Sequence, residues 1–175
     1  RVANSFVFMP VLVNEMNKLG IKDEDMRIVF ALGTHRKMTD EEMVEAVGED
    51  VAKRLPMYNS DCNAADDFEY FGETSFGTPV WINKLSFDVD VCIMTGTIVQ
   101  HFFAGFGGGR KDILPGVSAM DTVRRNHSLM MSPNSQLGKL HGNPVYDDQM
   151  EGVRLFAKEH KLFLFNAILD AKKNS

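Results

Sequence analysis

The sequence predicts an α/β fold, Rossmann-like, with a largely parallel sheet flanked by helices. Three observations carry that expectation. Strand-like apolar runs alternate with stretches of helical periodicity along the chain. The run "DVDVCIMTGTIV" (88–99) is nearly continuous in apolar residues, as expected of a strand buried on both faces. Two glycine-containing loops, "GTHR" (33–36) and "HFFAGFGGGRK" (101–111), each follow a strand-like run. Ligand loops of parallel sheets sit at that place, beyond the carboxyl ends of strands, so the two loops are expected to converge on one crevice.

Taken in order, residues 4–21 read as a helix with Phe8, Leu12, Met16 and Leu19 on one stripe. Pro10 is expected near its first turn and Gly20 at its stop. "RIVFAL" (27–32) is a short strand. Thr39 and Glu42 form a capping box that starts the next helix, whose buried face is Val44, Val47, Val51 and Leu55 before Pro56 ends it. Residues 57–68 look like an acidic loop. "FEYFG" and "TPVWINKL" read as two short strands, or as one strand and the opening of a helix. After the glycine loop, Ser118 is a candidate N-cap for a helix carrying Met120, Val123, His127 and Met130 on one stripe. A polar loop follows, then a helix with Tyr146, Met150, Val153 and Ala157 along one face, and "KLFLFNAILD" (161–170) closes as a strand.

The chain has 175 residues, 44% hydrophobic and 25% charged, which suits a single α/β domain over 1–175 with a proper core. A net charge of −5, with scattered Lys and Arg, argues against a nucleic-acid partner. No apolar run approaches the ~20 residues that span a bilayer, and no signal peptide is visible, so no membrane partner is expected. Cys62 and Cys92 lack a metal-type spacing and read as reduced thiols, which points to the cytoplasm.

The glycine loop is the main chemical feature. Its glycines let the main chain turn and approach a ligand, and Arg110 and Lys111 place cations where an anion would sit. A P-loop or a GxGxxG fingerprint started at Gly105 would need glycine at position 110, which is arginine. The loop is therefore an anion cradle of neither kind, or a tight structural turn. His35 in "GTHR", His101 at the head of the glycine loop and the inward-facing His127 suit a metal or acid–base site. Each also has an ordinary reading: a surface or capping residue, a ring packed on Phe102 and Phe103, and a buried core histidine. No HExxH pattern completes a zinc site.

The segments "ALGTHR", "GTPVWINKL", "HFFAGFGGGRKDILPGV", Asn126-His127 and "GNPV", in this order over nearly the whole chain, closely resemble the lactate racemase family. Members are 2-hydroxy acid racemases and epimerases that use a nickel-pincer nucleotide, nickel pyridinium-3,5-bisthiocarboxylic acid mononucleotide. The resemblance implies that His35 and His101 are the paired acid–base residues and that each titrates near neutral pH. It implies that Lys111, with Gly108 and Gly109, holds the cofactor, and that His127 is the nickel ligand. Arg1 matches the last residue of a "DxTR" motif that contacts the substrate carboxylate. It also implies an isomerase acting on a small-molecule 2-hydroxy acid and represented here by the core of its catalytic N-terminal domain. The C-terminal domain is absent, and the isolated fragment is expected to be inactive. Two departures stand out: Gly107 replaces the usual serine, and "NSD" with Ser60 replaces "NHD". Other readings are the same cofactor with a larger hydroxy acid or sugar acid, and a non-catalytic module that holds a phosphorylated ligand.

Overall fold

The computed structural model describes residues 4–168. Helix α1 (Ser5–Lys18) ends just before Gly20, whose φ of 92° suits a glycine stop. Pro10 lies in its second turn, not its first. The buried face is Met9 and Val13 with half-buried Phe8 and Leu12, while Leu19 is exposed. The expected stripe is thus rotated, and Phe8 is turned sideways onto the ring of Phe165, 5.1 Å away between centroids.

Strand β1 (Ile28–Phe30) follows. Helix α2 (Asp40–Val47) opens with the expected capping box, Thr39 and Glu42 bonding reciprocally. The predicted single helix breaks at Gly48, where φ is 88°, and resumes as α3 (Glu49–Arg54). The break puts Met43 rather than Val44 in the buried face with Val47, Val51 and Leu55. Residues 57–59, expected as loop, form β2 (Met57–Asn59), paired in parallel with β1. Helices α1 to α3 cover this pair, with Met9, Val13, Val47 and Val51 packed over Ile28, Phe30 and Met57.

β3 (Phe68–Glu73) and β4 (Pro79–Asn83) make an antiparallel ribbon. β5 (Cys92–Thr97) leads into a small ribbon of β6 (Gln100–His101) and β7 (Gly105–Phe106), then the short helix α4 (Arg110–Ile113). Helix α5 (Met120–Ser128) is capped by Ala119, because the Ser118 hydroxyl instead donates to the Ile113 carbonyl at 2.8 Å. Met130 falls beyond the helix end and is exposed. Helix α6 (Pro144–Phe156) starts from Asn143, whose side-chain oxygen accepts from the N–H groups of Val145 and Tyr146. β8 (Leu162–Ala167) pairs in parallel with β5, Cys92 opposite Leu162. Residues 169 and 170 of the expected last strand lie outside the described residues.

The buried face of α6 is Val145, Asp148, Gln149, Gly152 and Phe156, about one position from the expected one. Polar residues turn inward because partners meet them there. The Asp148 carboxylate accepts from the hydroxyls of Thr74 and Thr78 and from the Asn126 amide, the last at 2.7 Å. Asn126 also donates to the Val145 carbonyl and accepts from Gln149. This network ties α5 to α6 and to the β3–β4 ribbon. The main apolar core lies beside it, with Phe156 and Ile113 packed on Val80, Ile82 and Met94. Of the long apolar run, only Met94 is buried. The parallel strands form two separate pairs, β1–β2 and β5–β8, with a cleft between them.

Candidate functional site

The cleft, about 1930 Å³ in volume, runs along β1 and β5 to their carboxyl ends. His35, His101, Gly108, Lys111 and His127 all line it. Gly109 is buried behind them at the start of α4. Arg1 lies outside the described residues.

Backbone hydrogen bonds bring the two loops together. The turn after β1 is fastened to the loop after α4: Gly33 N–H donates to the Gly116 carbonyl at 2.8 Å. The Ser60 hydroxyl donates to the same carbonyl at 3.2 Å and accepts from Leu32 N–H at 3.0 Å. Ser60, the departure in "NSD", is therefore a buried clamp between the loops. His35 sits on this turn, exposed to solvent.

The glycine loop is locked from behind. A Cβ at Gly105 would lie 2.3 Å from the Lys139 carbonyl, so only glycine fits that approach. Gly109 has φ 54° and ψ −113°, which a side chain would strain. Asn143 donates to the carbonyls of Phe103 and Lys139 at 2.9 and 3.0 Å, so the cap of α6 also holds the loop. Arg110 does not face the cleft as a free cation. Its guanidinium donates to the carbonyls of Ala104 and Phe106 at 2.6 and 2.9 Å and covers the Tyr146 ring at 4.3 Å. Lys111 is the loop's available cation and makes no ion pair among the described residues.

Several groups here have shifted proton affinities. Burial, and secondarily the Arg110 charge, brings the Lys111 amine down to about 8. Burial raises the Asp112 carboxyl to about 7, with Lys111 opposing. His101 falls to about 4, first through burial and then through the charges of Lys111, His127 and Arg110. His127 is lowered by burial and by Lys111. His101 is thus a neutral base at pH 7, not a group titrating near neutrality, because an apolar wall and a lysine both disfavour its cation.

His101 stacks on Phe102 at 5.0 Å and meets the edge of Phe103 at 4.6 Å. Its Nδ1 accepts from Ala104 N–H at 3.3 Å, which leaves the proton of the neutral ring on Nε2. Phe103 in turn contacts His127, 5.1 Å between centroids. The two imidazoles therefore flank one aromatic ring. Nδ1 of His127 is buried without a hydrogen-bond partner; the Val123 carbonyl pulls its affinity upward but is not in hydrogen-bonding geometry. Asn126, next to His127, is a fully buried member of the Asp148 network, so the orientation of α5 is fixed at that point.

Among the described residues no three His, Cys, Asp or Glu side chains form a metal cage. Among the described residues, His127 therefore offers one half-buried imidazole and Lys111 one amine on the same cleft, a donor set for a group that brings most of its own donors. Sequence reasoning missed Ser60, Asn143 and Asp148 as supports of the site. Their signal was weak, since the partners that tie them to the site, Gly116 for Ser60, Phe103 for Asn143 and Thr74, Thr78 and Asn126 for Asp148, lie far away in the chain.

Fold and cleft define an α/β domain with a candidate ligand site on its glycine loop, at the carboxyl edge of parallel strands. The chain belongs to the lactate racemase family: residues 1–138 match the family's lactate racemase N-terminal domain. It is 32% identical over 173 residues to the lactate racemase of Thermoanaerobacterium thermosaccharolyticum, which covers 98% of this chain and 40% of the relative. It is 33% identical over 176 residues to that of Lactiplantibacillus plantarum, covering 99% and 40%. The solved apoprotein of the Thermoanaerobacterium enzyme superposes with a TM-score of 0.89 over 99% of this chain and 41% of that one, at 32% identity. A Thermotoga maritima protein shares the fold, with a TM-score of 0.85 at 22% identity, over 98% of this chain and 44% of that one. The chain thus spans about 40% of the length of the curated relatives it matches.

Proposed function

We propose that this chain is the cofactor-binding catalytic domain of an isomerase that interconverts stereoisomers of a 2-hydroxy acid. The observation that carries the reading is the grouping of His101, His127 and Lys111 around Phe103 and the glycine loop, within a lactate racemase N-terminal domain. A nickel-pincer nucleotide, when bound, supplies a hydride acceptor and donor for the substrate carbon. The remaining tasks fall to the protein. His127 offers a neutral imidazole to nickel. Lys111, its amine depressed to about 8, has an unprotonated fraction at neutral pH able to attach to the cofactor. Gly108 lines the cleft, and Gly109 behind it holds a backbone conformation that a side chain would strain, so the loop keeps its course beside the cofactor.

His101 takes the hydroxyl proton of one enantiomer on Nε2, in the tautomer that carries its hydrogen on Nδ1 and opens the 3.3 Å Ala104 contact, and gives the proton back when the reaction runs the other way. His35, exposed on the turn after β1 and also lining the cleft, is assigned to the other enantiomer. Racemisation requires a base on each face, and His101 and His35 are the two imidazoles we assign to that task. If Lys111 is tied up as an amide-like link it loses its charge, and His101 rises toward the range where it both accepts and donates protons. Arg1 is assigned to the substrate carboxylate. The activity belongs to the longer protein, in which a C-terminal domain closes the site, and we place that protein in the cytoplasm.

The test is a racemisation assay on the longer protein, loaded with cofactor, over a panel from lactate to larger hydroxy acids and sugar acids. The reading expects interconversion of at least one pair, lost by two orders of magnitude or more in His101→Ala and in His35→Ala. Full activity in both variants would remove the acid–base assignment.

A further inference from the structure

We infer that the cleft between β1 and β5 is a slot for one further parallel strand, supplied by polypeptide that leads into α1 and ends beside the glycine loop. The first argument is pairing. β1 uses one edge for β2 and β5 uses one edge for β8, and among the described residues neither has a strand on its other edge. Ile28 N–H donates to the Pro56 carbonyl, and Ser60 N–H to the Phe30 carbonyl, so residues 28 and 30 face β2. By alternation the main chain of Val29 and Ala31 faces the cleft. In β5, Cys92 N–H donates to Lys161 and the following Ile98 N–H to Ala167. Ile93, Thr95 and Thr97 therefore turn their main-chain groups the same way, toward the cleft.

Both strands line that cleft along their length. Its two other walls are apolar: Met9, Leu12 and Val13 of α1 on one side, Ile113 and Val117 on the other. An extended segment placed there finds hydrogen-bond partners on both edges and apolar side chains above and below, the surroundings of a central parallel strand. At about 1930 Å³ the cleft is roughly twice the ~1,000 Å³ upper end of small-ligand pockets. A small ligand alone leaves most of it unfilled, and two facing open edges are a liability that proteins ordinarily cover.

The second argument is topological. Ser5, the first residue of α1, lines the cleft, and α1 runs on through Gly20 to the amino end of β1. A slot strand continuing into α1 and then β1 makes one β-α-β unit. The spatial order becomes β2, β1, slot, β5, β8. Counted along the chain with the slot strand first, that is 3-2-1-4-5, the order of doubly wound sheets. The third argument is polar. Thr97 Oγ1 and Asp112 Oδ2 are buried without hydrogen-bond partners, and both residues line the cleft at the carboxyl end of β5. The last residues of a slot strand would meet them and emerge next to Lys111. The relatives are more than twice as long as this chain, so such polypeptide exists in proteins of this kind. Nothing in the argument depends on the racemase chemistry.

Amide hydrogen exchange on the full-length protein, without cofactor, tests the inference. The slot-facing amides of Val29, Ala31, Ile93 and Thr95 are expected to exchange about as slowly as that of Met94, which faces β8. In the 175-residue chain the same four are expected to exchange at least 100-fold faster, with Met94 still protected if that chain folds. Slot-facing amides of the full-length protein exchanging like exposed loops would overturn the proposal, whatever the shorter chain does. Protection that persists in the folded 175-residue chain, or that appears only at high protein concentration or only with cofactor, assigns the slot to another occupant and overturns it equally.

Discussion

Replacing Asp148 with alanine should be among the most damaging changes available outside the cleft. The carboxylate is fully buried and accepts from Thr74, Thr78 and Asn126. Hydrogen bonds to a charged acceptor contribute about 1.5–3 kcal/mol each, which sets an upper bound of about 4.5–9 kcal/mol for three. Water entering the vacated space satisfies part of the orphaned donors, so a loss of about 3–5 kcal/mol is expected, the range for breaking buried charged contacts. With a urea slope of about 2 kcal/mol/M, the unfolding midpoint falls by about 1.5–2.5 M. Asp148→Asn keeps the shape and some acceptor capacity and should lie between. Because Asn126 precedes His127, the same variants should also weaken whatever His127 holds. A midpoint change below about 0.5 M for Asp148→Ala would refute the view that this carboxylate joins α5 and α6 to the β3–β4 ribbon.

Three more outcomes follow from the site and its supports. His101, followed by NMR, should titrate near 4, and Lys111→Met should raise that value while leaving it below 6.5, since burial is the larger cause; no movement would separate the two residues. A base whose folded affinity is below its unfolded one adds stability above pH 6.5, lost as pH falls toward 4. Asp23 is held at about 2 by hydrogen bonds from Arg54 and then Asn17, against 3.8 unperturbed. Its contribution is present above about pH 3.8 and lost as pH falls through 2, so Arg54→Met should flatten the acid limb of a stability profile in that window. Gly105→Ala places a Cβ 2.3 Å from the Lys139 carbonyl at φ 77° and should cost at least about 2 kcal/mol in thermal or urea unfolding. Gly142→Ala, also at positive φ but with nothing within 4 Å, should cost less and serves as its control.

Much of the fold was legible because local signals and tertiary contacts agree. Thr39 and Glu42 announce the start of α2, Gly20 the end of α1, and the two strand-end loops converge as their positions suggested. The rest needed partners that no local pattern displays. Met57–Asn59 becomes a strand only by pairing with β1. The face of α6 was misjudged because Asp148 and Gln149 look like surface residues until Thr74, Thr78 and Asn126 arrive from elsewhere. Arg110 reads as a ligand cation, yet the carbonyls of Ala104 and Phe106 and the Tyr146 ring claim it. The site residues were visible as types and spacings, and the resemblance supplied their roles. Their proton affinities were not visible, since burial against Phe103 and the nearness of Lys111 exist only in the folded chain.

The central claim is that Lys111 and His127 together hold a nickel-containing cofactor on the glycine loop. It is tested most directly by the nickel content of the full-length protein, made alongside cofactor-synthesis enzymes and purified from wild type, Lys111→Ala and His127→Ala. The account predicts near-stoichiometric nickel in the wild type and at least a tenfold loss in each variant, with circular dichroism unchanged. Nickel retained in both folded variants, or absent from the wild type, would contradict it.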